Sequence, residues 1–299
     1  MELQIPYQFY KPQYPFWCFN FFFLIWGLGS LCYYSLSRAQ FWGIASKFSA
    51  LTEEKKRNVV IYVLQVLVTT IALITQVIGG IDVFFQMKDT TTQLRMDLMV
   101  VSTQLVFVLY MWELIYRLAI GFPLLVHHIM TCMIGQLFAA SFFDTFDVVY
   151  IRLALVMLLY ATTEQSSFVA LFCYRLDLLS KRHQVNLFTI AAIQSFVIKS
   201  AIAIFALVYF CITFFVNGDA DDQPTNWKWF WKICFIPLLL LLFAAQIFSS
   251  NVLWQLRSKC LNEKGLAIDV ELPTPRPSSD LSINTIDATG CISVKGSPY

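Results

Sequence analysis

The sequence predicts an all-α fold: a polytopic transmembrane helical bundle of about seven spans, followed by a disordered C-terminal tail. Three observations carry that prediction. Hydrophobic residues make up 58% of the 299 residues and charged residues 13%, against about 25% charged in an ordinary soluble domain. The apolar residues come in blocks, and a helix of about 20 such residues crosses a hydrocarbon core. Lys and Arg are distributed unevenly between the segments joining the blocks, as the positive-inside rule expects of a multi-span chain. Two separate soluble domains would instead show amphipathic spacing.

In chain order, the blocks place spans at roughly 15–34, 59–81, 98–120, 122–143, 148–172, 187–216 and 229–254. The opening MELQIPYQFYKPQYP lacks the basic start and small-residue cleavage site of a signal peptide, so the first block reads as a retained span. SRAQFWGIASKFSALTEEKKRN joins the first two spans, and its Thr52 to Lys56 stretch suits the start of a short interfacial helix. Pro123 shortens the fourth span, and the sixth is long enough to tilt or project. Residues 1–50 form an N-terminal segment with the first span and a basic loop, and residues 51–256 form a six-span domain. Residues 257–299, with PTPRPSS at their centre, form a polar tail without helical period.

Fourteen Lys and Arg fall on one side of this topology and six on the other. The richer side takes the first loop, Arg117, the fifth loop and the tail, which predicts a lumenal N-terminus and a cytosolic C-terminus. Net charge is only +2, so no whole-chain field favours nucleic acid. Most of the eight cysteines lie in or beside apolar blocks, so no secreted disulfide framework is visible.

Ionisable groups at membrane depth cost about 2.5–3.5 kcal/mol each on insertion scales, so each needs a partner or a role. The candidates are Glu113, His127, His128, Glu164 and Lys199. Glu113 falls about 12 Å before the turn at Gly121 and Pro123, and His127 about 6 Å after it. Glu164 falls about 16 Å from the end of its span at Arg175, on the same side, so four polar groups converge on one cytosol-facing pocket. Adjacent histidines point about 100° apart, which suits two walls of a cavity rather than shared ligation of one metal. No metal ligand set is assigned. Thr131 shares a face with His127, and Cys132, Gly135 and Ala139 share one with His128 as a small-residue stripe suited to close helix approach. Glu113 either contributes to the pocket or only pairs with Arg117 four residues on. Glu164 lies among Thr162, Thr163, Gln165, Ser166 and Ser167, which suits either a substrate contact or helix–helix hydrogen bonding. The depth of Lys199 stays open.

YMWELIYR at Tyr110 to Arg117, LLVHHIMTC at Leu124 to Cys132 and ATTEQSSFVALFCYRL at Ala161 to Leu176 together resemble the TLC family of multi-span endoplasmic reticulum proteins. That family includes ceramide synthases, translocating-chain-associating proteins and smaller TLC-domain proteins. The resemblance covers about Leu51 to Leu256, and the paired histidine is its most specific element. It implies handling of membrane lipids, with a long-chain acyl lipid or acyl-CoA as ligand, acyl-CoA as a co-substrate if the protein is an enzyme, and no resident cofactor. His127 and His128 are then the positions for acyl transfer, and Tyr110, Glu113, Thr131, Glu164 and Ser166 the substrate-binding ones. The second histidine-and-aspartate block of ceramide synthases is missing, since no histidine lies between His128 and His183. YATTEQSSF is similar instead to the smaller TLC-domain proteins. The leading expectation is a lipid-handling protein of membrane or sphingolipid homeostasis. An N-acyltransferase and a non-catalytic adaptor whose tail binds a cytosolic partner are the alternatives. The third and seventh spans lack the signals of seven-span receptors, and three histidines are too few for a membrane di-iron oxygenase.

Overall fold

The structure is a computed structural model, described over residues 14–85, 93–145, 147–216 and 226–262. Among these residues, seven segments are long and apolar enough to cross a membrane, and no strand occurs. The molecule is an all-α polytopic bundle.

Helix α1 (Tyr14–Arg38) is the peripheral span. It packs on α3 and α4 through few side chains, with Ile25 buried while Phe16, Phe19, Phe23 and Leu31 stay exposed. A tight turn follows, with Trp42 and Gly43 both left-handed at φ 54° and 65°. A left-handed backbone at Trp42 costs about 1–2 kcal/mol. The short helix expected to begin at Thr52 lies earlier, as α2 (Ile44–Ser49). Thr52 instead heads the second span itself, accepting from the Lys55 amide at 3.5 Å. Glu53 and Glu54 in that first turn face the positive end of the helix dipole.

The helices outrun the apolar blocks because charged residues extend them past the hydrocarbon. Helix α3 (Glu53–Phe85) and α4 (Gln93–Tyr116) pair closely, since Gly79 lets the Arg95 carbonyl approach to 2.7 Å from where a Cβ would stand. The third span stops at Tyr116 rather than 120. Pro123 occupies the first turn of α5 (Phe122–Thr145), where its missing N–H is no loss, so the span keeps 24 residues instead of being shortened. Asp147 caps α6 (Val148–Thr162) by accepting from the Val149 amide at 3.0 Å. The fifth span is not continuous: Thr163 and Glu164 leave helical geometry before α7 (Gln165–Arg175) begins. Helix α8 (Lys181–Cys211) continues through a π-helical turn to Val216, and α9 (Asn226–Asn262) carries Pro237 inside it. Because α9 runs to Asn262, the first tail residues from 257 are helical. The PTPRPSS segment and its expected partner site lie outside the described residues.

Two ends of the bundle differ. One, here called the turn end, holds the Arg117–Gly121 turn and gathers basic side chains from several segments. Lys47 donates to the Asp177 carbonyl at 2.8 Å, and Arg57 donates to the Tyr116 carbonyl at 3.2 Å. The far end is closed by aromatic packing among α5, α8 and α9.

Candidate functional site

Glu113, from the last turn of α4, is 1% exposed, and both carboxylate oxygens are engaged. Arg117 donates to Oε1 at 2.7 Å through Nε and reaches Asn58 Oδ1 at 2.7 Å through another nitrogen. Gln65 of α3 donates to Oε2. His128 Nε2 stands 3.2 Å from the same oxygen, at ion-pair distance but off the axis of a hydrogen bond, and its Nδ1 has no hydrogen-bond partner. The Tyr110 ring stacks on His128 with centroids 4.4 Å apart. Glu113 therefore pairs with Arg117, as one reading of the sequence expects, and in addition meets the histidine.

Glu164 sits at the break in the fifth span and pairs with Lys199 of α8. Lys199 is fully buried, with its ammonium 4.6 Å from the Tyr160 ring centroid. Side chains satisfy carbonyls that the break would orphan. Thr163 Oγ1 donates to the Leu159 carbonyl at 3.0 Å, Tyr110 donates to that of Ala161 at 3.2 Å, and Gln165 donates to that of Thr162. Broken helix at membrane depth persists only where such groups or a cavity receive it. Here both do.

Glu113, His127, His128 and Glu164 all line one cavity of about 180 Å³, with Arg117, Ser167, Gln246 and Ser249 also on its wall. A second cavity, of about 40 Å³, is lined by Thr103, Phe107, Tyr110, Thr131, Gly135, Met157 and Leu242, among others. The two lie in series along three helices. On α4 the order runs from Arg117 and Glu113 to Tyr110, Phe107 and Thr103; on α5 from Pro123 and His127 to Thr131 and Gly135; on α9 from Leu256 to Gln246 and then Leu242. From Arg117, just past the end of α4, to Thr103 the rise is about 21 Å. Tyr110 lines the second cavity and His128 the first, so their stacked rings link the two walls.

Some expected site residues fall elsewhere. Tyr110 and Thr131 line the second cavity and not the first, and Thr131 donates to the His127 carbonyl at 2.8 Å. Ser166 lines neither cavity; its neighbour Ser167, one helical step round α7, faces the first with a buried, unpartnered Oγ. Gly135 is not a close-approach position, because a Cβ there would meet nothing within 4 Å. Close approach occurs instead at Gly29, against Trp112 at 2.8 Å, and at Gly80, against Leu155 at 3.0 Å. Sequence reasoning also missed Gln65, Lys199 as the partner of Glu164, and Gln246, which donates to Ser195 across α8 and α9. Comparison with known families, curated proteins and solved structures finds no match to this chain.

Proposed function

We propose that the protein is a lipid-handling TLC-domain membrane protein that binds a long-chain acyl lipid inside its bundle. The observation that carries this reading is the serial arrangement, along α4, α5 and α9, of a cavity whose wall holds Glu113, Arg117, His127, His128 and Glu164 and a second one lined mainly by apolar residues. An acyl lipid has the same plan, a polar group joined to a long apolar chain. Its polar group would lie against Glu113, His127, His128 and Glu164, and its chain would pass Tyr110 toward Gly135. The turn end faces the cytosol in this reading, because Arg38, Lys47, Arg57, Arg117 and Arg175 belong to it. The TLC resemblance supports residence in the endoplasmic reticulum and a role in membrane or sphingolipid homeostasis.

Identifying lipid that co-purifies with the intact protein in mild detergent tests the reading. A defined acyl lipid is expected with the native chain. The His127→Ala/His128→Ala variant should hold at least about tenfold less, equivalent to 1.4 kcal/mol. Equal lipid in both proteins would remove the histidine pair from the site.

The buried carboxylate–imidazole contact favours a second reading, acyl transfer from acyl-CoA to an amine. The amine nitrogen attacks the thioester carbonyl, the C–S bond breaks, and the amine proton passes through His128 to the departing thiolate. Turnover of labelled acyl-CoA by purified protein would establish it, and none would leave binding as the function.

A further inference from the structure

From the contrast among the glycines of this bundle, we infer that Gly135 sets how much acyl chain the bundle accepts. The inference rests on the acyl-lipid reading above and adds the residue that limits chain length. Gly29, Gly79 and Gly80 are packing glycines: an added Cβ would come within 2.8, 2.7 and 3.0 Å of a neighbouring atom. At Gly135 nothing lies within 4 Å, although the residue is in the middle of α5 and lines the second cavity. Helix packing therefore does not require glycine at this position; Gly27 on the exposed face of α1 likewise meets nothing, but of the two only Gly135 lines a cavity.

The position suits a length limit. Gly135 lies seven residues beyond His128 on the same helix, about 10 Å deeper. Ile134, Ala154, Met157 and Leu242 supply apolar wall around it. A side chain grown from position 135 would occupy the space that the last methylenes of a bound chain would otherwise take. It would leave Glu113, His127 and His128, two or more turns nearer the turn end, as they are. Each methylene excluded from apolar surroundings changes relative affinity about fourfold, so two would shift a long-to-short ratio by about fifteenfold.

The test incubates the full-length protein in detergent with an equimolar series of saturated free fatty acids from dodecanoic to eicosanoic acid. Mass spectrometry then reads the bound distribution for the native chain, Gly135→Ala and Gly135→Leu. The expected result is a shift toward shorter acids, small for alanine and about fifteenfold for leucine, with total occupancy by the short acids retained. Alanine keeps the test meaningful if leucine does not fold, since a Cβ at this position meets nothing. Binding by the native chain with an unchanged distribution in both variants would overturn the role of Gly135 while leaving the acyl-lipid reading intact. Equal loss across all lengths in folded variants would also overturn it. Binding of no fatty acid by the native chain would count against the acyl-lipid reading itself and take this inference with it.

Discussion

The two ends of the bundle are buried by opposite means. At the far end, Phe138 stacks on Trp231 with centroids 4.0 Å apart, and Phe235 stacks on Phe210 at 4.3 Å. Polar contacts there are few and support the rings, as from Trp231 Nε1 to Ser141 Oγ at 2.8 Å and from Trp227 Nε1 to Asp144 Oδ2 at 2.9 Å. At the turn end, two carboxylates, two imidazoles, a guanidinium and an ammonium are held together around a cavity. Helices in lipid associate through close packing and scattered hydrogen bonds, which the far end achieves with aromatic rings. Charged groups are not needed for that purpose, and their desolvation opposes it. The contrast favours the turn end as the place of the proposed site, because that end carries an electrostatic cost that aromatic packing avoids elsewhere in the bundle.

The largest test of this contrast is Lys199→Met. It strands Glu164 without its cation at the break in the fifth span and should destabilise the protein by about 3–5 kcal/mol, read from thermal unfolding in detergent. Adding Glu164→Gln should recover most of that loss. If the single variant unfolds like the native chain, the pair does not hold the break. Next in size, Trp231→Ala removes a fully buried ring from the far end and should cost about 3 kcal/mol through lost dispersion contacts. Lipid capture per folded molecule should stay unchanged; a loss there would erase the functional distinction between the ends. The smallest is Ser141→Ala, which leaves the Trp231 N–H without its acceptor and should cost about 1–2 kcal/mol by the same assay. A neutral result would show that ring packing alone closes that end.

The spans were legible because their signal is additive: many apolar residues in a row need no knowledge of neighbours. Glu113, His127, His128 and Glu164 were legible for a related reason, each being out of place in an apolar block. Pairings were harder, because they depend on how each helix is rotated about its axis. Lys199 did leave a trace, lying on the same stripe of α8 as Ala192, Ser195, Ala203 and Ala206, all buried. Small residues on one face mark the side that meets other helices, and a lysine among them needs a carboxylate. The break at Thr163 and Glu164 was masked by the hydropathy around it, although two adjacent threonines before Glu-Gln-Ser-Ser form a stretch whose side chains compete for backbone groups. The choice of Ser167 over Ser166 turns on about 100° of helix rotation, which composition does not contain.

The two carboxylates that line the turn-end cavity are each matched by one cation, Glu113 by Arg117 and Glu164 by Lys199. These four groups together contribute no net charge. An elementary charge moved through a membrane field gains or loses about 2.3 kcal/mol per 100 mV, and a neutral site feels no such force. The matched pairs thus give this site no net gating charge: a change of membrane potential exerts no net pull on it that would shift the helices around the cavity.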